Sequence, residues 1–183
     1  MNKRQAIYRD LVSLPGDRVT VANRAAPGFN AQTRGYIAGG PVGILLDSGS
    51  TCNSVSEELF KKIYDGMEKG IAEGLYGYGG DSCPIGSIED FSDEPMRLDG
   101  LVDGGSINIT HSAVLRVQLH EIGRDDGPLV SIRHKILPRG QSTFAGLIWG
   151  ARTLGPAPEG LGHRVTTHTH VFDALGLVCP RME

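Results

Sequence analysis

The chain of 183 residues is poor in the features that mark secreted and nucleic-acid-binding proteins. It has 3 Cys, an odd number with wide spacing, which disfavours a disulfide framework and predicts a reducing, cytoplasmic location. Its 18 Lys and Arg stand against 21 Asp and Glu, a net charge of −3. Since no basic field is available to hold a phosphate backbone, we expect no nucleic-acid partner.

Long apolar runs and aromatic residues are also scarce. The longest apolar stretches, such as Gly43–Leu46 and Phe144–Ala151, are too short to span a bilayer. Met1–Leu14 carries charges throughout and has no apolar segment typical of a signal peptide. We therefore expect no membrane partner. Because aromatic residues make up only 6% of the chain, its core must be mostly aliphatic.

Glycine is abundant. The chain has 26 Gly and 10 Pro, together roughly one residue in five, where average usage gives about 12%. Such a chain turns often, which favours short strands and hairpins over a helical bundle. The length fits one domain, which we divide into an N-terminal arm and strand (1–32), a core (33–156) and a C-terminal strand and tail (157–183).

Local patterns predict most of the secondary structure. Two short apolar runs on either side of Gly39-Gly40 indicate a hairpin. Ser56, followed by two Glu, is typical of a helix N-terminus, whereas residues 74–97 lack periodicity and predict a loop insertion. Alternation or apolar runs predict further strands at these positions: Arg18–Asn23, Val114–Leu119, Leu129–Leu137, Phe144–Trp149 and Arg164–Val171.

The feature that carries chemistry is an aliphatic strand that runs straight into an acid, Gly43–Thr51 (GILLDSGST). Gly49 allows a tight turn, so that backbone N–H groups can point back at the Asp47 carboxylate. Two such carboxylates brought together would share one proton. Such a pair can deprotonate a water while it protonates a leaving group.

Three segments together resemble a known family. Gly43–Ser56 (GILLDSGSTCNSVS) resembles the active-site loop of retropepsin-like aspartic proteases, especially those of retrotransposons, and Gly35–Leu46 is similar to the hairpin that enters it. The hairpin around Val102–Thr110 (VDGGSINIT) resembles the flap, and Gly146–Leu154 (GLIWGARTL) resembles the second signature, where two apolar residues and a Gly precede a short helix. These pieces follow the family's order and cover about residues 33–156.

The resemblance implies an all-β closed barrel with one or two short helices and no cofactor. It implies an aspartic endopeptidase that cleaves extended peptides, such as segments of a retroelement polyprotein, between two Asp47 carboxylates. Because the Asp-Ser-Gly triplet occurs once, the second carboxylate requires a homodimer. Residues that would support the active-site loop are Ser48, Gly49, Ser50, Ile148 and Gly150. Residues that would form the flap and bind substrate are Asp103, Gly104, Gly105 and Ser106.

The chain departs from the family pattern at several positions. Thr51 stands where many retroviral members have an acidic residue, and Arg152 lies two residues after Gly150 rather than next to it, so the family's ion pair is not expected. Ser50 replaces the common Ala. A hydroxyl donor there would favour the charged form of the dyad, which predicts activity at acidic pH. Trp149 is unusually bulky, and its indole N–H needs a partner.

Other interpretations remain open. The Asp-Ser-Gly triplet can be a plain turn, or part of an inactive domain kept for dimerisation or peptide binding, and Gly104-Gly105 can be an ordinary hairpin turn. The tail holds His163, His168, His170 and Cys179, which could bind zinc, although their spacing favours solvent-facing histidines. We interpret Cys52 as a packed residue rather than a nucleophile, and His111, His120 and His134 carry no readable signal.

Overall fold

The computed structural model describes residues 3–8, 31–47, 49–99, 105–119, 129–142 and 144–154. Within these ranges there are three helices: α1 (Lys3–Tyr8), α2 (Glu57–Ala72) and α3 (Ala151–Leu154). There are also nine strands: β1 (Ala31–Ile37), β2 (Gly40–Leu46), β3 (Ser54–Ser56), β4 (Ile85–Asp90), β5 (Met96–Asp99), β6 (Ser106–Ile109), β7 (His111–Leu119), β8 (Leu129–Leu137) and β9 (Leu147–Trp149).

Six strands form a closed barrel. They pair in the order β1-β2-β9-β3-β8-β7, and pairing of β1 with the end of β7 closes the ring. Strand β4 pairs with the first half of β7, residues 111–115. This confirms the prediction of a mostly β, closed-barrel chain. The described residues hold three helices rather than one or two, and α2 is not short, since it has 16 residues.

The β1–β2 hairpin delivers the Asp47 loop to one end of the barrel. The strands pair antiparallel from Ile37 opposite Gly40 to Ala31 opposite Leu46. The turn lies at Ala38 and Gly39, both with positive φ (49° and 89°), one residue earlier than predicted. Nearly all of β2 is buried, as expected of a strand covered on both faces.

Helix α2 begins as predicted. The Ser56 hydroxyl accepts a hydrogen bond from the Leu59 N–H at 3.2 Å, and both acidic residues lie in the first turn. The helix packs its apolar face against the barrel through Leu59, Ile63 and Met67, all buried. Tertiary packing of this face, more than local propensity, stabilises the helix.

Two glycines of α2, for which the sequence offered no explanation, make room for tyrosine rings. A Cβ on Gly66 would lie 2.5 Å from the Tyr8 ring, and one on Gly70 would lie 2.5 Å from the Tyr76 ring. The two tyrosine hydroxyls hydrogen-bond to each other in the interior. Glycine is therefore needed here for close approach and not for a turn.

Gly70→Ala is expected to lower the free energy of unfolding by about 1–2 kcal/mol. The clash with the buried Tyr76 ring outweighs the better helix propensity of alanine. Gly77→Ala is the matched control because a Cβ there meets nothing within 4 Å, so its effect should stay within about 0.5 kcal/mol. Denaturant unfolding measures both, and equal stability of the two variants would contradict the packing role.

Residues 74–97, expected to be a loop insertion, contain β4 and the start of β5. Among the described residues, strand β4 pairs with β7 alone and leaves residues 87–90 exposed, so it has no apolar alternation for sequence patterns to detect. Strand β6 pairs with β5, from Met96 opposite Ile109 to Asp99 opposite Ser106. Of the hairpin predicted around Val102–Thr110, residues 102–104 lie outside the described part of the chain.

The remaining strand predictions have mixed outcomes. Strand β8 has the predicted bounds, β7 is longer than its predicted segment, and only the last three residues of Phe144–Trp149 form a strand. Both predicted terminal strands, Arg18–Asn23 and Arg164–Val171, lie outside the described residues. None of the helices described here is long and apolar enough to cross a membrane.

Candidate active site

Asp47 is the first residue after β2 and lies half-buried in a tight turn. Its own N–H donates to the Trp149 carbonyl at 2.9 Å, and its carbonyl accepts from the Ser50 N–H at 3.0 Å. The Gly49 N–H donates to Asp47 Oδ1 at 3.0 Å. The turn therefore points a backbone donor back at the carboxylate, as the sequence pattern predicts.

The turn after β9 backs this loop. The Ala151 N–H donates to the Ser50 carbonyl at 2.8 Å, so residues on both sides of Gly150 bond to the Asp47 loop. A Cβ on Gly150 would lie 2.6 Å from the Ser50 oxygen and 2.7 Å from the Cys52 oxygen. Only glycine fits between these backbone carbonyls.

Ser50 has a different role from the one expected. Its hydroxyl donates to the Cys52 carbonyl at 2.8 Å, so it closes the loop on itself and is not directed to Asp47. The sequence-based reason for activity at acidic pH, a Ser50 donor to the carboxylate, is therefore not found in this structure.

Of the other predicted site residues, three are described and lie in two places. Ile148 is buried and pairs with Leu45 and Ser54, so it supports the loop through packing. Gly105 and Ser106 are exposed, and Ser106 is the first residue of β6. Ser48, Asp103 and Gly104 lie outside the described residues.

Both cysteines in the described ranges are free thiols. Burial raises the pKa of the Cys52 thiol, an effect that the nearby Lys135 charge partly offsets. The Cys83 thiol is buried and donates to the Gly77 carbonyl. A half-buried thiol with a raised pKa is a poor nucleophile, which agrees with the interpretation of Cys52 as a packed residue.

His134, for which the sequence offered no interpretation, is the partner that the Trp149 indole needed. It is fully buried, and its Nδ1 lies 2.8 Å from the Ile132 carbonyl. Because a carbonyl only accepts, Nδ1 carries the proton and Nε2 accepts the Trp149 indole N–H at 3.0 Å. Ile132 and His134 are buried, whereas Arg133 between them is exposed. This alternation along β8 was the sequence signal that could have predicted the burial of His134.

Burial lowers the pKa of His134 to about 4 from its ordinary 6.5. The unfolded chain therefore binds a proton that the folded chain excludes between these pH values. The part of the unfolding free energy that depends on His134 is therefore fully present above pH 6.5, and it falls by roughly 3 kcal/mol as the pH drops toward 4.

His134→Gln is expected to remove this part of the pH dependence, because glutamine does not titrate. Unfolding free energies measured from neutral to acidic pH should converge between wild type and variant as the pH falls. His111→Gln is the control, since the His111 side chain is only partly buried beside Asp90. An unchanged pH slope in the His134 variant would show that another group sets it.

No group of three or more His, Cys, Asp or Glu side chains within the described ranges could hold a metal ion. The histidine-rich tail, with His163, His168, His170 and Cys179, lies outside those ranges.

Comparisons with known proteins find similarity only among solved structures. No protein-family model and no curated protein matches the chain. An EIAV protease complexed with the inhibitor HBY-793 is 14% identical, with a TM-score of 0.36, over 71% of this chain and 88% of that one. A retropepsin-like aspartic protease from Rickettsia conorii is 11% identical, with a TM-score of 0.35, over 73% of this chain and 74% of that one.

Proposed function

We propose that the chain is an aspartic endopeptidase of the retropepsin type that acts as a homodimer. The observation that carries this proposal is the Asp47 loop itself. An acid follows a buried barrel strand directly, its carboxylate accepts a backbone N–H, and its loop is bonded to the turn after β9. A plain surface turn would not need backbone hydrogen bonds from a second, distant turn to hold it.

The proposed chemistry uses two Asp47 carboxylates, one from each subunit, which share one proton. The ionised carboxylate takes a proton from a water, and that water attacks the scissile peptide carbonyl. The protonated carboxyl donates its proton to the carbonyl oxygen. The carboxyl that took the proton from water then passes it to the leaving amine as the C–N bond breaks, and the other carboxylate regains a proton from the tetrahedral intermediate. No covalent enzyme intermediate forms.

Two features of the chain support the homodimer. The Asp-Ser-Gly triplet occurs once in the whole sequence, so one chain supplies one such carboxylate. The barrel closes within a single chain, and Asp47 follows directly after the end of β2. The site is therefore incomplete without the partner subunit's Asp47.

The β5–β6 hairpin is the proposed flap. Met96 lies opposite Ile109 and Leu98 opposite Ile107, so one face of this two-stranded sheet is aliphatic. The other face carries exposed Arg97 and other polar residues. An apolar inner face suits closure over an extended peptide that binds as an added strand, such as a segment of a retroelement polyprotein.

A cleavage assay tests the proposal. The protein is incubated with a denatured peptide mixture at pH values from about 4 to about 7, with and without pepstatin. Pepstatin-sensitive cleavage by a dimeric species is the expected result. A dimer that cleaves nothing at any pH would instead support a non-catalytic dimerisation or peptide-binding module.

A further inference from the structure

We infer that Asn53 is a positioning residue that clamps the Asp47 loop to the turn after β9 and to β8. This inference rests on the proposed function, and it concerns how the site is held. Asn53 Oδ1 accepts the Gly150 N–H at 2.9 Å and the Thr153 hydroxyl at 2.8 Å. Its Nδ2 donates to the Arg133 carbonyl at 3.0 Å.

Both the oxygen and the nitrogen of the Asn53 side-chain amide form hydrogen bonds. A side-chain carbonyl oxygen has two lone pairs, and both have donors here. The Asn53 main chain adds a further bond, because its carbonyl accepts the Lys135 N–H at 2.9 Å. Asn53 thus joins its own loop to two segments that lie about 80 and 100 positions away in the sequence.

The clamp reaches Asp47 through the backbone. Gly150, held by Asn53, lies between Trp149, whose carbonyl accepts the Asp47 N–H, and Ala151, whose N–H bonds Ser50. Movement of Gly150 would therefore shift both contacts that place the Asp47 loop. Asn53 acts through these neighbours, and catalysis loses on the order of 100-fold when reacting groups move by about 1 Å.

A neutral amide suits this place because Thr153 and Gly150 are buried. A carboxylate could accept both hydrogen bonds, yet it would set a negative oxygen against the Arg133 carbonyl, where a donor is required. A protonated carboxyl, with one O–H donor and one carbonyl acceptor, matches the amide again. The Asn53→Asp variant therefore lacks the donor to the Arg133 carbonyl when its carboxyl is ionised, and it regains that donor when the carboxyl is protonated.

The test compares kcat of wild type, Asn53→Asp and Asn53→Ala across pH. Asn53→Asp should lose on the order of 10- to 100-fold in kcat near neutral pH with little change in KM. The ratio of its kcat to wild type should rise as the pH falls through the carboxyl's titration. Asn53→Ala should show a low ratio without this recovery, because alanine has no group to protonate.

Two further measurements separate this inference from the proposed function. Hydrogen exchange of the Gly150 amide should be faster in both Asn53 variants than in wild type, whether or not the protein cleaves peptides. Thr153→Val is isosteric and removes one of the two donors to Asn53 Oδ1, so it should lower kcat several-fold. This variant tests the inference even if an Asn53 variant fails to fold. Wild-type inactivity would reject only the proposed function. An Asn53→Asp protein with wild-type kcat and Gly150 protection at neutral pH would overturn the clamp.

Discussion

Asp47→Asn is expected to abolish peptide cleavage and leave the fold unchanged. The amide has the shape of the carboxylate, and its oxygen can still accept the Gly49 N–H. It cannot take a proton from water. General acid–base catalysis contributes roughly 10²–10⁴-fold, and the homodimer loses both carboxylates at once, so a loss of at least about 10⁴-fold in kcat is expected.

A matched control and a mixing experiment sharpen this prediction. Asp65→Asn changes an exposed acid on α2 that pairs with Lys61, and it should cleave at the wild-type rate. Equal amounts of wild type and Asp47→Asn, unfolded together and refolded, should show roughly a quarter of the activity of the same total amount of wild type, because only wild-type homodimers hold two carboxylates. Undiminished cleavage by Asp47→Asn would remove Asp47 from the mechanism.

Gly150→Ala has the second largest expected effect, on both stability and activity. The added methyl would meet the Ser50 and Cys52 carbonyl oxygens at 2.6 and 2.7 Å, and both are backbone atoms that cannot rotate away. The loop or the turn must move. We expect a loss of about 1–3 kcal/mol in unfolding free energy and at least about 100-fold in kcat.

The single tryptophan reports this movement directly. Trp149 precedes Gly150 and is fully buried in the wild type, so a displaced turn should shift its fluorescence emission to longer wavelength. Gly77→Ala again serves as the control, because its Cβ has open space around it. Wild-type kcat and unshifted emission in Gly150→Ala would contradict the close packing of the turn against the loop.

Local sequence patterns were sufficient where neighbouring residues decide the structure. The β1–β2 hairpin, the Ser56 helix cap and the bounds of β8 follow from turn residues, capping chemistry and alternation within a few positions. The tight turn that brings the Gly49 N–H to Asp47 belongs to the same class. Each of these depends on interactions over at most a few residues, which a sequence displays directly.

Tertiary structure decided whatever depends on distant partners. Strand β4 has exposed polar side chains, so only its pairing with β7 reveals it as a strand. The bond between Asn53 and Thr153 spans 100 positions, and that between Trp149 and His134 joins two elements of the barrel. Composition and hydrophobic alternation do not predict which distant residues form such pairs. These residues carry polar groups. Their pairing becomes necessary only when burial removes water, because each buried donor then needs an acceptor from elsewhere in the fold.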